Sequence, residues 1–279
     1  MNLMKRIGLR RAGLGLALVL FTYSATTITD AWQQAAPQPT TDNEYTVGST
    51  LWTQYSGEER ALAYQAYHLA RLLLDRDLRI NRKDKRRRAV VVDVDETVLD
   101  NSRHQAQMIK EHRSYPYRWL EWINLAEASA VPGAVEFLKY ADSKGVRVFY
   151  VTNRKSNEKE GTMRNLRQLG FPNITEETVV VRPDNSPSSK EARRQKIAQR
   201  HRIVLLIGDN LNDFAEVFEK KSSAERIAAV EQAKDQFGER FIMIPNAMYG
   251  DWESSLFAPD EKLSDEEKAA KRRSLLKGF

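Results

Sequence analysis

Five short apolar runs, the first rich in valine, constrain this chain most. They fall at 89–92, 146–151 (broken only by Arg147), 179–181, 203–207 and 241–244. A brief, nearly continuous apolar run is the pattern of a strand buried on both faces. Between the runs lie segments of helical character, such as 133–143 and 189–199, and 49–79, ahead of the first run, also reads as a helix. Strands alternating with helices predict an α/β domain on a doubly wound parallel sheet, with helices on both faces. Such sheets bind ligands beyond the carboxyl ends of their strands. The residues that follow each run therefore carry the chemistry.

The first run leads into Asp93-Val94-Asp95-Glu96-Thr97. In an extended segment, residues two apart project to the same side, so Asp93 and Asp95 face one site. Several carboxylates at the end of a buried strand are costly unless a cation or good donors meet them. The second run ends in Val151-Thr152-Asn153-Arg154, where a hydroxyl and backbone N–H groups are placed to donate to a phosphoryl oxygen. Lys190, near a helix start, works against the helix dipole unless something anionic sits there. The fourth run leads into Gly208-Asp209-Asn210-Leu211-Asn212-Asp213. If a helix begins there, Asp209 and Asp213 share one face, and two acids after an apolar strand point to a hard cation with oxygen ligands. Singly, each motif has a plainer reading: acids capping a turn, a Thr-Asn turn, a surface lysine, an acid-rich helix start.

Taken in order, the four motifs resemble the haloacid-dehalogenase superfamily of phosphotransferases. The segment 94–102 (Val-Asp-Glu-Thr-Val-Leu-Asp-Asn-Ser) is similar to the class C bacterial acid phosphatases, the lipoprotein acid phosphatase/5′-nucleotidase family. So are Val131-Pro132-Gly133-Ala134, Tyr150 to Arg154, Gly208 to Leu211, and Pro245-Asn246-Ala247-Met248-Tyr249-Gly250. The similarity spans roughly residues 50–257. It implies a Rossmann-like sheet with a small helical cap insertion near 101–131, an enzyme, and Mg2+ as cofactor. It assigns Asp93 as nucleophile and Asp95 as general acid and base. Thr152, Asn153 and Lys190 would bind phosphate. Magnesium would sit on the Asp93 carboxylate, the Asp95 carbonyl and Asp209, with Asp213 supporting it indirectly. Tyr249, with Trp119 or Trp122, would stack on a substrate ring. The implied substrates are small phosphomonoesters, nucleoside 5′-monophosphates first. A broad phosphomonoesterase is the second reading. A non-catalytic surface or storage protein is the third, and the intact set of acids and Lys190 opposes it.

Composition and the chain ends add the setting. The net charge is +6, drawn largely from clusters at 5–11, 82–88 and 271–277. Such runs are ordinarily solvated surface. No nucleic-acid-binding motif accompanies them, so the expected partner is a small phosphorylated molecule. The absence of cysteine excludes disulfides, thiolate metal sites, a cysteine nucleophile and lipid attachment through an N-terminal cysteine. Lys5, Arg6, Arg10 and Arg11 precede an apolar stretch over 12–25. That order predicts a signal peptide or membrane anchor over 1–25 and a periplasmic or cell-envelope location. Membrane contact is expected only through this segment, if it is retained. A Thr-, Gln- and Pro-rich linker follows at 26–45. The phosphatase domain is expected over 46–260 and a C-terminal helix over 261–279, with a capping-box spacing from Ser264 to Glu267.

Overall fold

The computed structural model describes residues 43–258 and 261–279. The segment 1–25, expected to be a signal peptide or membrane anchor, lies outside them, as does the expected linker at 26–45 except for its last residues. There Glu44–Thr46 forms a 3₁₀ turn.

The five apolar runs become β1 (Arg88–Val92), β4 (Arg147–Lys155), β5 (Val179–Arg182), β6 (Arg202–Gly208) and β7 (Phe241–Met243). They form one sheet in the order β5-β4-β1-β6-β7, and every pairing is parallel. Val90 lies opposite Val148 of β4 and Leu205 of β6, which sets β1 at the centre. Alternate residues of each strand face opposite layers. Val90, Val92, Val148, Tyr150, Leu205 and Ile207 pack into one core. It is covered by α2 (Gly57–Ile80), α5 (Ala134–Ser143) and α6 (Lys159–Gln168). Ala89, Val91, Phe149, Val151 and Leu206 face the other way, against Ile197 of α7 (Glu191–Arg200) and Ala229 of α8 (Ser223–Gln232). Both faces are dry, which is why the strands read as continuous apolar runs rather than alternating ones. The fold is thus the doubly wound α/β architecture expected.

The helix read over 49–79 is two helices, α1 (Val47–Tyr55) and α2. The break is Ser56, an N-cap whose hydroxyl accepts the N–H of Glu59 at 3.0 Å. The Ser-Gly-Glu-Glu run is a helix-start signature that the longer apolar pattern masks. At the amino end of the sheet, Asp77 of α2 ties β1 to β6. It accepts hydrogen bonds from Arg88 at 2.9 Å and from Arg202 at 2.6 and 2.8 Å.

The insertion between β1 and β4 holds α3 (Ser102–Lys110) and α4 (Trp119–Leu125). A small antiparallel pair closes its neck, β2 (Leu99–Asp100) against β3 (Ser129–Ala130). After β7 come α9 (Asp251–Ser254) and α10 (Asp265–Ser274). The latter starts with a reciprocal cap: Glu267 N–H donates to the Ser264 hydroxyl, and Ser264 N–H to the Glu267 carboxylate. Among the described residues, no helix is long and apolar enough to cross a membrane.

Candidate active site

The site is assembled at the carboxyl ends of β1, β4 and β6. Asp93 directly follows β1 and continues its pairing, its N–H donating to Ile207 O at 2.9 Å. The chain then turns sharply. Glu96 adopts a left-handed conformation, φ 54°, and its N–H donates to Leu99 O. Two N–H groups, from Val98 and Leu99, converge on Val94 O. The buried Tyr67 hydroxyl of α2 pins the Thr97 carbonyl at 2.5 Å. This turn fixes where the two aspartates point.

Lys190 stands immediately before α7 and is almost wholly buried. Its ammonium bonds Asp93 and also donates to Asp213 Oδ1 at 2.6 Å. The other Asp213 oxygen accepts Asn210 N–H at 3.0 Å. Asp209 accepts the Thr97 hydroxyl at 3.1 Å and the Asn246 amide at 2.9 Å. The expected helix after Gly208 is only a 3₁₀ turn, Leu211–Asp213. The Asn210 side chain and Asp213 cap it reciprocally, and this rather than a helical face brings Asp213 back over Gly208.

Asp93, Asp209 and Asp213 each present an oxygen within 4.8 Å of the others. Three carboxylates share one ammonium there. Burial raises the Asp93 carboxyl well above its usual range; Lys190 pulls it back, while Asp213, Asp209 and Asp95 push it higher. Burial and then Asp213 raise Asp209 to about 7. For Lys190, burial works toward the neutral form, but Asp213 and Asp93 outweigh it and hold the proton more tightly than usual. The cluster therefore has more negative charge than Lys190 neutralises. An all-oxygen donor set with surplus charge fits a hard divalent cation.

Three buried arginines hold the loops that carry these groups. Arg193 donates to the carbonyls of Thr152, Ser188 and Ser189 and to the Asn153 side chain. Arg194 donates to the carbonyls of Asn212 and Asp213, both at 2.9 Å. Arg226 reaches Asn212, Asn210 and the Phe218 carbonyl. A fourth, Arg154 at the end of β4, forks the Asp95 carboxylate. The motif reading gave no role to any of the four. The partners that tie Arg193, Arg194 and Arg154 to the site, Thr152, Asn153, Asp213 and Asp95, lie far away in sequence, so spacing does not reveal them.

A cavity of about 500 Å³ opens over the cluster. Asp93, Lys190, Asp209 and Asn153 line it, with Trp119 and Tyr249. Trp119 packs edge-on to His104 and Tyr115, at centroid distances of 5.0 and 5.7 Å. Tyr249 is 39% exposed, and its hydroxyl donates to the buried Glu96 carboxylate. Burial, then Asp95 and Asp209, raise Glu96 well above its usual range.

Two expected contacts are not on the cavity wall. Trp122 packs inside the insertion, its indole N–H donating to Asn101 at 2.8 Å. Its edge was needed to satisfy a buried amide, which turns the ring away from the substrate space. Thr152 is fully buried; its hydroxyl donates to Asp95 at 3.3 Å and accepts Arg154 N–H at 3.1 Å. That hydroxyl serves the second aspartate, where the sequence pattern pointed it at a phosphoryl group.

Gly208 marks how closely the site is packed. A Cβ there would meet the Asp213 side chain, with Cγ at 2.7 Å. Gly208→Ala is expected to displace Asp213 from Lys190 and to cost about 1–3 kcal/mol through overpacking. Denaturant unfolding and activity should fall together. An unchanged melting point with full activity would show that Asp213 does not need this approach.

A parallel sheet with aspartates after its central strand, a buried lysine and a second acidic loop defines a phosphotransferase of the haloacid-dehalogenase class. The comparisons carry this further. Residues 18–252 match the family model described as HAD superfamily, subfamily IIIB (Acid phosphatase), and the chain belongs to that family of phosphomonoesterases. It is 46% identical to the class C acid phosphatase from Bacillus anthracis, covering 84% of this chain and 98% of that one, with a TM-score of 0.80. The same Bacillus anthracis enzyme with tungstate bound superposes with a TM-score of 0.79, again at 46% identity and the same coverage.

Proposed function

We propose that this acid phosphatase is an exported, magnesium-dependent enzyme that hydrolyses small phosphomonoesters, nucleoside 5′-monophosphates foremost. The observation that carries the reading is the Lys190 ammonium bridging Asp93 and Asp213 beneath a cavity far larger than a phosphate group. The floor handles the phosphoryl group, and the space above takes the organic part of an ester. The tungstate-bound relative supports an oxyanion ligand for this fold, since tungstate and phosphate are both tetrahedral oxyanions.

In this mechanism Asp93 attacks phosphorus, and the bond to the leaving oxygen breaks as the aspartyl P–O bond forms. Asp95 gives its proton to the leaving oxygen, then takes one from the water that cleaves the aspartyl-phosphate. Lys190 and Asn153 hold the phosphoryl oxygens, and Thr152 steadies Asp95 from behind. Asp93, Asp209 and the Asp95 backbone would hold magnesium, with Asp213 acting through Lys190. When bound, the cation draws charge from the phosphoryl oxygens and reduces repulsion between carboxylate and phosphate. Export rests on the basic and apolar start of the chain, with a periplasmic or envelope destination.

Trp119 and Tyr249 form the wall that a nucleobase would meet. Stacking on an aromatic is worth about 1–3 kcal/mol per base. Tyr249→Ala is therefore expected to lower kcat/KM for a nucleoside monophosphate by about 10- to 100-fold, and for a small aliphatic phosphate far less. A panel of esters on wild type and variant tests this. Equal rates on ringed and ringless esters in the wild type would favour the broad-specificity alternative. No magnesium-stimulated hydrolysis of any ester would reject the proposed mechanism.

A further inference from the structure

The reaction requires Asp95 to move a proton twice, yet carboxylates on a turn swing freely unless something holds them. The hydrogen bonds around Asp95 are uneven. Oδ1 accepts from Arg154 Nε at 3.0 Å, Arg154 Nη2 at 2.8 Å and Asn101 Nδ2 at 2.9 Å. Among the described residues, Oδ2 has only longer contacts, 3.3 Å from the Thr152 hydroxyl and 3.3 Å from Arg154 Nε. One oxygen is saturated and the other is open to a proton.

Arg154 is itself fixed from every side. It is 3% exposed. Nη1 donates to the Thr162 hydroxyl at 2.9 Å, and that hydroxyl donates on to Glu158 O at 2.8 Å. Its guanidinium carbon lies 5.3 Å from the Trp119 ring centroid, within cation–π range. Asn101, the second donor to Oδ1, is held by the Trp122 indole. The planar fork therefore links β4, α6 and the insertion to a single carboxylate oxygen. A lysine ammonium cannot reproduce that two-point grip.

We propose that Arg154 is the positioning residue of the acid/base: it anchors Asp95 through Oδ1 and presents Oδ2 to the leaving oxygen. The inference rests on the proton-transfer role given to Asp95 above. In the first step the Oδ2 proton passes to the leaving oxygen as its bond to phosphorus breaks and the Asp93–phosphorus bond forms. In the second, attacking water bonds to phosphorus, the Asp93–phosphorus bond breaks, and the water proton returns to Oδ2. Arg154 keeps its own proton throughout. It touches neither phosphorus nor the leaving oxygen.

The test is leaving-group dependence of kcat/KM, which reports the first chemical step. Wild type, Arg154→Gln, Arg154→Lys and Asp95→Asn are assayed on aryl phosphates of graded phenol acidity and on one alkyl phosphate. A nitrophenolate leaves without a proton; an alkoxide does not. Arg154→Gln is expected to lose about 100-fold on the alkyl ester, within the range of a mispositioned general acid, and only a few-fold on the nitrophenyl ester. The slope against leaving-group pKa should steepen toward that of Asp95→Asn. Arg154→Lys should fall between wild type and Arg154→Gln. On the alkyl ester a double variant carrying both Arg154→Gln and Asp95→Asn should be no worse than Asp95→Asn alone, because both changes act through one group. A uniform loss across the series, or additive losses in the double variant, would overturn the proposal and leave Arg154 a packing residue. If Arg154→Gln does not fold, Arg154→Lys decides by the same slope. Failure of the underlying reading looks different: Asp95→Asn itself would then keep the wild-type rate on the alkyl ester.

Discussion

Asp93→Asn is expected to lower turnover by at least about 10⁴-fold, the scale seen when a catalytic nucleophile is removed. The amide has no anionic oxygen to attack phosphorus, and no other described side chain takes its place at the end of β1. The fold should survive. Burial already opposes charge on Asp93, as its raised pKa shows, and Lys190 would keep Asp213 at 2.6 Å. The melting point without added metal is therefore expected to stay level or rise while activity disappears. The checks are steady-state assay, thermal unfolding, and mass spectrometry to exclude deamidation back to aspartate. Near-native turnover in an undeamidated sample would sink the nucleophile assignment. Loss of activity together with a collapsed melting point would make Asp93 a structural residue instead.

How much of this was visible beforehand depends on the range of the interactions. The strands were legible because both faces of the sheet are dry, so each central strand is written as an apolar run. Asp93, Lys190 and Asp209 were placed together because topology puts the ends of β1 and β6 and the start of α7 side by side. Local signals failed where a second local signal was overlooked, as at Ser56, whose cap divides the first long helix. The turn of Leu211–Asp213 was read with the right residues and the wrong geometry, since acids at both 3₁₀ and α starts look alike in sequence.

Direction was the harder quantity. Trp122 and Trp119 are three residues apart in α4, and both are buried to a similar degree. Yet Trp122 donates to the Asn101 amide inside the insertion, while Trp119 packs on His104 and Tyr115 and borders the cavity. Thr152 sits at a strand end suited to a phosphoryl contact, yet its hydroxyl meets Asp95. Arg193, Arg194 and Arg226 read as ordinary charged helix residues. Each is in fact buried and satisfies loop carbonyls. A long-range partner must be known before such a residue is recognised.

Removing divalent cations is expected to abolish activity, and magnesium to restore it. The reason is the charge imbalance: three clustered carboxylates face one ammonium, and burial raises both Asp93 and Asp209. A cation that binds only the folded state also stabilises it, by about 2.7 kcal/mol at a hundred times its dissociation constant. The melting point of the chelated protein should therefore climb as magnesium is added, by several degrees for a domain of this size. That readout needs no substrate, so it separates binding from chemistry. Asp209→Asn makes the experiment specific. It leaves an acceptor oxygen for the Asn246 amide and lets the Thr97 hydroxyl, which now donates to Asp209, accept from the new amide instead, but removes one charge from the cluster. Its melting point in chelator should equal or exceed that of wild type, because a repelling buried charge has gone. Its response to magnesium should be flat or shifted to much higher concentration. Full activity in exhaustive chelator would end the cation hypothesis. An unchanged magnesium response in Asp209→Asn would move the site to other oxygens.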